Sequence, residues 1–220
     1  MSQKDCTSLH GSLQHVSFIY HDAWNALPSL SAFLSKFPNE YVLHHVPHMV
    51  MNDLMLWLTC LTCLTMSHSL LPRQCLDPNV HVYASLVFGL GFTFNNDYAG
   101  WHLSDGWAAG GHDIGWAECV ALELAIYWLI QEGFRNADVT VCSDNMGVIA
   151  AFSNSKSYNA AHNDCICRIT SALVPVCLTI SLKYMPSCEN LADPVSCGHT
   201  AGYSACLVCT FLLPTLCPCG

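Results

Sequence analysis

Across 220 residues the chain is 52% hydrophobic and only 10% charged, with a formal net charge of −9 and seven Lys and Arg in all. That length suits one good core, or one domain with an appendage. Ordinary soluble chains are about a quarter charged, so the composition predicts poor solubility for the isolated chain and excludes a basic footprint for nucleic acid.

Fifteen cysteines invite a disulfide framework. The opening "MSQKDCTSLHGSLQHVSF" is mostly polar, with no charged n-region leading into an apolar run. The expectation is therefore an intracellular protein, cytoplasmic or nuclear, with reduced thiols.

In chain order, residues 1–75 read as a small helical segment. "LPSLSAFLSKF" sets Leu27, Leu30, Phe33, Leu34 and Phe37 near helical spacing, and "MNDLMLWLTCL" offers a second helix beyond the His-rich "NEYVLHHVPHM". His44, His45 and His48 have the donor chemistry of a metal cluster but no flanking acids, so loop histidines are the expectation. Leu54 to Leu71 carries no full charge over about the length that spans a bilayer. It also holds three Thr, two Ser and a His, and no membrane span is expected. Cys60 and Cys63 have C-x-x-C spacing. Cys206, Cys209, Cys217 and Cys219 match a zinc site in number but not in setting, because "ACLVCTFLLPTLCPCG" offers no polar loop around them.

Pro72 and Pro78 bracket a linker, "PRQCLDP", after which the chain turns to strands. Val80 to Val87 and Phe88 to Phe94 are two runs, and Asn95 to Asp97 supply the turn chemistry that reverses the chain into "YAGWHL", completing an antiparallel meander. The glycines of "FGLGF" leave room for something packed closely on that face. From Asp113 to Gly133 lies the longest helix, with Asp113 suited to the N-cap, Gly133 to C′, and an apolar surface almost all the way round. Glu118 and Glu123 stand five positions, or about 140°, apart on it. Glu118 is placed in the first turn and Glu123 on a solvent strip.

Val139 to Ser143 reads as a buried strand. Asp144 and Asn145 then open an apolar helix over 146–152, either as its cap or as a site where a strand ends and a helix begins. A helix over 160–173, a strand in "CLTISLKYMP" and the signal "ENLADPVSCG" complete a domain over 76–198, and 199–220 is an apolar tail. The order β-β-β-α-β-α-α-β makes an α/β fold, a mixed sheet with helices packed on it.

That order, with acids at Asp144, at Glu118 and in the final "N-x-x-A-D-P-x-S" at Asp193, resembles the ribonuclease H domain of retrotransposon reverse transcriptase polyproteins. The resemblance covers about residues 78–198, and "DIGWAECVALELA", "SDNMGVIAAF" and "MPSCENLADPVSCG" are its specific parts. It implies a ribonuclease H-like mixed five-stranded sheet flanked by helices. Residues 1–75, notably "GSLQHVSFIY" and "PSLSAFLSKFPN", resemble the connection region that precedes such a domain. No polymerase palm accompanies them, so a complete reverse transcriptase is not expected.

Cleaving RNA with water in this family takes two Mg2+ ions about 4 Å apart, and such hard cations want carboxylate oxygens. The resemblance implies Glu118 and Asp144 as metal ligands and Asp193 as the holder of the second ion, with an RNA–DNA hybrid as partner and no small-molecule cofactor. It puts Asn145, Lys156 and Asn190 on the nucleic acid, and leaves Lys156, Arg168 and Lys183 as the few cations for phosphates. The family's first-strand aspartate, shared by both ions, falls at Tyr83 in "HVYASLVFGLGF". A phenol with a pKa near 10 is neutral and a poor magnesium ligand. Asp97, Asp105 and Asp113 lie in the turn and the loop before the long helix, and none replaces it.

His102, Cys142, Cys167 and Cys197 stand where arginines are expected, each one codon transition away, as in a decayed element copy. The expectation is a hydrolase of RNA in RNA–DNA hybrids by ancestry, now weak or inactive. The alternative is a non-catalytic nucleic-acid-binding or scaffold module of the same fold, with Tyr83 and Trp101 as core or stacking residues. A structural metal protein or a membrane protein ranks last, because it leaves three matched acids unexplained.

Overall fold

The computed structural model describes residues 1–17, 27–39, 41–62, 75–155 and 157–210, and residues 216–218 as backbone. The chain divides into two units, 1–70 and 71–220. In the first, α1 (Gln3–Val16) starts at a capping box: the Ser2 hydroxyl accepts the Asp5 N–H while the Asp5 carboxylate accepts the Ser2 N–H. Helix α2 (Pro28–Leu34) opens on a proline, whose missing N–H costs nothing there, and Leu27, Leu30, Phe33 and Phe37 are buried around it. Helix α3 (His48–Thr62) buries Val50, Leu56, Trp57 and Cys60. His44 lies edge-on against Phe37, ring centroids 4.8 Å apart. The remainder of the Leu54 to Leu71 stretch, from residue 63, lies outside the described residues.

In the second unit, β1 (Cys75–Ala84), β2 (Gly89–Phe94) and β3 (Asp97–Leu103) form the antiparallel meander, with Tyr83 opposite Gly91 and Phe94 opposite Asp97. Asn95 takes the turn's positive φ of 54°, which asparagine tolerates better than most residues. Strand β4 (Asp138–Ser143) runs parallel to β1, and β5 (Thr179–Tyr184) parallel to β4. The sheet order is β5-β4-β1-β2-β3-β6. Its first five strands are the mixed ribonuclease H-like sheet. The short β6 (Leu216–Pro218) adds an antiparallel sixth at the β3 edge. Residues placed in the linker already belong to β1 from Cys75 onward, where the register shifts between Leu76 and Val80. The described part of the tail also pairs with the sheet. Tyr98 donates its N–H to Ala205 O at 3.0 Å and Leu207 donates to Tyr98 O at 2.7 Å, so this stretch lies along β3.

Side chains alternate across a strand. Val80, Val82 and Ala84, with Leu90, Phe92, Val139 and Val141, therefore share one face, and α4 (Ile114–Gln131) packs into that core. Among the described residues α4 is the one helix long and apolar enough to cross a membrane, and 72% of it is buried inside the protein. It starts at Asp113, whose carboxylate accepts the Trp116 N–H. It ends in a Schellman motif: Gly133, at φ 89°, donates to Ile130 O, and Phe134 donates to Leu129 O. Helices α5 (Met146–Ser153) and α6 (Ala160–Leu173) fill the crossover from β4 to β5.

The opposite face is closed by the short α7 (Ala192–Ser196). A Cβ on Gly91 would stand 2.8 Å from Ser196 N, and one on Gly100 3.3 Å from Val195 Cγ1. Of the glycines in "FGLGF", Gly91 leaves room that α7 fills, as Gly100 does from β3, whereas Gly89 packs against the β3 backbone at Trp101.

Candidate active site

Strand β1 lies between β4 and β2, so its C-terminal end meets the junction that follows β4. At that junction Asn145, not Asp144, is the cap: its Oδ1 accepts the Gly147 and Val148 N–H groups at 3.0 and 3.1 Å. Asp144 is left for something else. Its Oδ2 accepts the Ser187 hydroxyl, and its Oδ1 is buried without a hydrogen-bond partner.

Glu118 reaches the same place from α4. It stands in the second turn rather than the first, counted from the Asp113 cap, and is only 4% exposed. Burial is the main reason its carboxyl is pushed up to about 8, with the charges of Asp144 and Asp193 adding to the rise and the Ala84 N–H opposing it. Its Oε2 has no hydrogen-bond partner.

Asp193, from the first turn of α7, completes the set of acids. Asn190 holds this helix in place: its Nδ2 donates to Val82 O and its Oδ1 accepts the Ala192 N–H, both at 3.0 Å. With 4% exposure, Asn190 braces α7 against β1 and does not face a ligand, contrary to its expected place on nucleic acid.

Tyr83 sits among these groups. Burial, then the charges of Asp144 and Asp193, push its phenol above the ordinary tyrosine range, with the nearby Ser187 hydroxyl opposing the rise. The phenol is therefore neutral at physiological pH. The structure thus brings Tyr83, Glu118, Asp144 and Asp193 into mutual electrostatic reach. The two orphaned oxygens, Glu118 Oε2 and Asp144 Oδ1, suit one hydrated Mg2+, an ion that keeps several waters and takes one or two carboxylates. Among the described residues no three His, Cys, Asp or Glu side chains form a group that could hold a metal ion, so the fit rests on these two oxygens alone.

Several expectations need correction. Glu123 faces no solvent strip; it is fully buried. It takes Arg168 Nε and Nη2 at 2.7 Å each, the Tyr127 hydroxyl at 2.7 Å and the Cys165 thiol at 3.1 Å. Arg168 is thereby spent on an internal ion pair between α4 and α6 instead of being held out to phosphates. Lys183 is exposed on β5, and Lys156 lies outside the described residues. Trp101 is a core residue, stacked on Phe92 at 5.8 Å. Cys142 is buried at 5% exposure, a setting that suits a thiol. Ser187 is a site residue that sequence reasoning missed. Within "MPSCEN" one serine carries no signal of its own, and only the fold sets it against Asp144 and Tyr83.

No family model and no curated protein matches the sequence. Among solved structures, the chain is similar to ribonuclease H1 from the halophilic archaeon Halobacterium salinarum NRC-1, at 15% identity and a TM-score of 0.38, covering 55% of this chain and 96% of that one. The strand order and crossovers of the sheet itself make the fold ribonuclease H-like.

Proposed function

We propose that this chain is a retroelement-derived ribonuclease H-like protein whose ancestor cut RNA in RNA–DNA hybrids, and whose own cleavage is weak or lost. The observation that carries this reading is the convergence of Glu118, Asp144 and Asp193 on Tyr83, at the end of the central strand.

Two Mg2+ ions, when bound in such a site, supply the positive charge that balances the attacking and leaving oxygens of an in-line displacement. Glu118 and Asp144 would hold one ion through their orphaned oxygens, and Asp193 would hold the second. Tyr83 brings no negative charge to the position both ions share. Buried beside Asp144 and Asp193, the carboxyl of Glu118 keeps its proton near neutral pH in the absence of a cation.

A second reading is a non-catalytic nucleic-acid-binding or scaffold module; the commitment of Arg168 to Glu123 leaves few cations for a phosphate backbone and, within this reading, favours the scaffold form. A-form hybrids are recognised through shape and 2′-hydroxyl contacts, so a surviving interaction would show little sequence preference.

The test is Mg2+-dependent cleavage of an end-labelled RNA–DNA hybrid by the wild type and by Tyr83→Asp. Cleavage by the variant alone supports a disabled hydrolase. Efficient cleavage by the wild type refutes the disabling role of Tyr83. Hybrid binding without cleavage by either folded protein favours the binding module.

A further inference from the structure

Beyond the three carboxylates, one neutral side chain touches the candidate site in a way that determines which oxygen a cation would meet. Ser187 opens the short 3-10 turn Ser187–Glu189 after β5. Its hydroxyl donates to Asp144 Oδ2. The other Asp144 oxygen, Oδ1, is buried and has no partner, as is Glu118 Oε2.

A carboxylate following a strand can rotate about its last side-chain bond, and that freedom is lost when it takes a cation. A donor fixed on one oxygen removes the rotation beforehand and leaves the other oxygen as the ligand. Partners of this kind, one bond out from a metal ligand, commonly change metal affinity by about 10–100-fold when removed.

We infer that Ser187 is a positioning residue: its hydroxyl pins Asp144 Oδ2 so that Oδ1, together with Glu118 Oε2, is presented to a divalent cation. This rests on the reading of the acids as a cation site.

Mn2+, a paramagnetic stand-in for Mg2+, reports binding without any turnover. Titrations followed by electron paramagnetic resonance would compare the wild type with Ser187→Ala, Ser187→Thr and Asp144→Asn. Thermal melts would run alongside to establish that each protein is folded. Ser187 is exposed, so the alanine variant is expected to fold.

The expected pattern is loss of Mn2+ binding in Asp144→Asn, roughly tenfold weaker binding in Ser187→Ala, and recovery to within about twofold in Ser187→Thr, which keeps the hydroxyl. If Asp144→Asn loses binding while Ser187→Ala matches the wild type, the positioning role is overturned and the cation site stands. If the wild type binds no Mn2+, or Asp144→Asn binds it equally well, the cation site fails and the positioning role fails with it.

Discussion

Replacing Arg168 by methionine strands a carboxylate in the core. Glu123 is fully buried, and its two oxygens take four donors: Arg168 twice at 2.7 Å, Tyr127 at 2.7 Å and Cys165 at 3.1 Å. Breaking a buried pair from one side typically costs about 3–5 kcal/mol, because the surviving charge remains unpaired. Here Tyr127 and Cys165 stay in place, and the Arg168 side chain is 45% exposed. The loss should therefore lie near the lower end, about 3 kcal/mol.

The reverse substitution, Glu123→Gln, is expected to cost less, about 1–2 kcal/mol. Its freed guanidinium can turn to water, and the amide oxygen still accepts from Tyr127. Removing both charges, in Glu123→Leu/Arg168→Met, should recover most of the loss, since apolar replacement of a buried pair is often neutral.

Urea denaturation of these variants beside the wild type measures all of this. Equal costs below about 0.5 kcal/mol for both single variants, the range of ordinary surface changes, would refute the reasoning.

Three further outcomes follow from the site and its supports. Glu118, raised from 4.5 to about 8 by burial and then by its acidic neighbours, binds a proton in the folded state that the unfolded chain gives up. Its contribution is therefore complete below about pH 4.5 and is lost as pH rises through about 8, on the order of a few kcal/mol. Melts without divalent ions should show that decline in the wild type and a flatter profile in Glu118→Gln; matching slopes would contradict it. Gly91→Ala puts a Cβ 2.8 Å from Ser196 N and should cost about 1–3 kcal/mol in urea denaturation by pushing α7 off the sheet. Asn145→Ala should cost about 1 kcal/mol, with Asn145→Asp close to wild type, because Oδ1 is the atom that caps α5; a neutral alanine variant would reject that role.

Helix α4 is legible in the sequence because both of its ends carry local chemistry, Asp113 as cap and Gly133 in the left-handed region. The meander is legible for the same reason, since Asn95 and Asn96 sit between runs whose residues alternate between core and opposite face. The β4 junction is legible as a place but not in its assignment. Asp and Asn cap helices about equally well, and only the fold shows that Asn145 caps while Asp144 is bound by Ser187.

Glu123 could not be placed from spacing. On a helix buried nearly all round, an angle of about 140° points to another packed face as readily as to water, and Arg168 arrives from α6, 45 positions later in the chain. Asn190 looked like a ligand-facing polar residue for a similar reason, because its two partners, Val82 and Ala192, meet it only once α7 lies on β1. The pairing of the tail with the β3 edge leaves no local mark either, since an open edge accepts any strand of suitable length.

The measurement closest to the central claim is anomalous diffraction from crystals of Tyr83→Asp grown with Mn2+, beside wild-type crystals treated alike. The expected result is two Mn2+ peaks about 4 Å apart between position 83, Glu118, Asp144 and Asp193 in the variant, and no more than one in the wild type. Peaks elsewhere in the variant, or none at these residues in a correctly folded crystal, would contradict the assignment of these residues as the remains of a two-ion site.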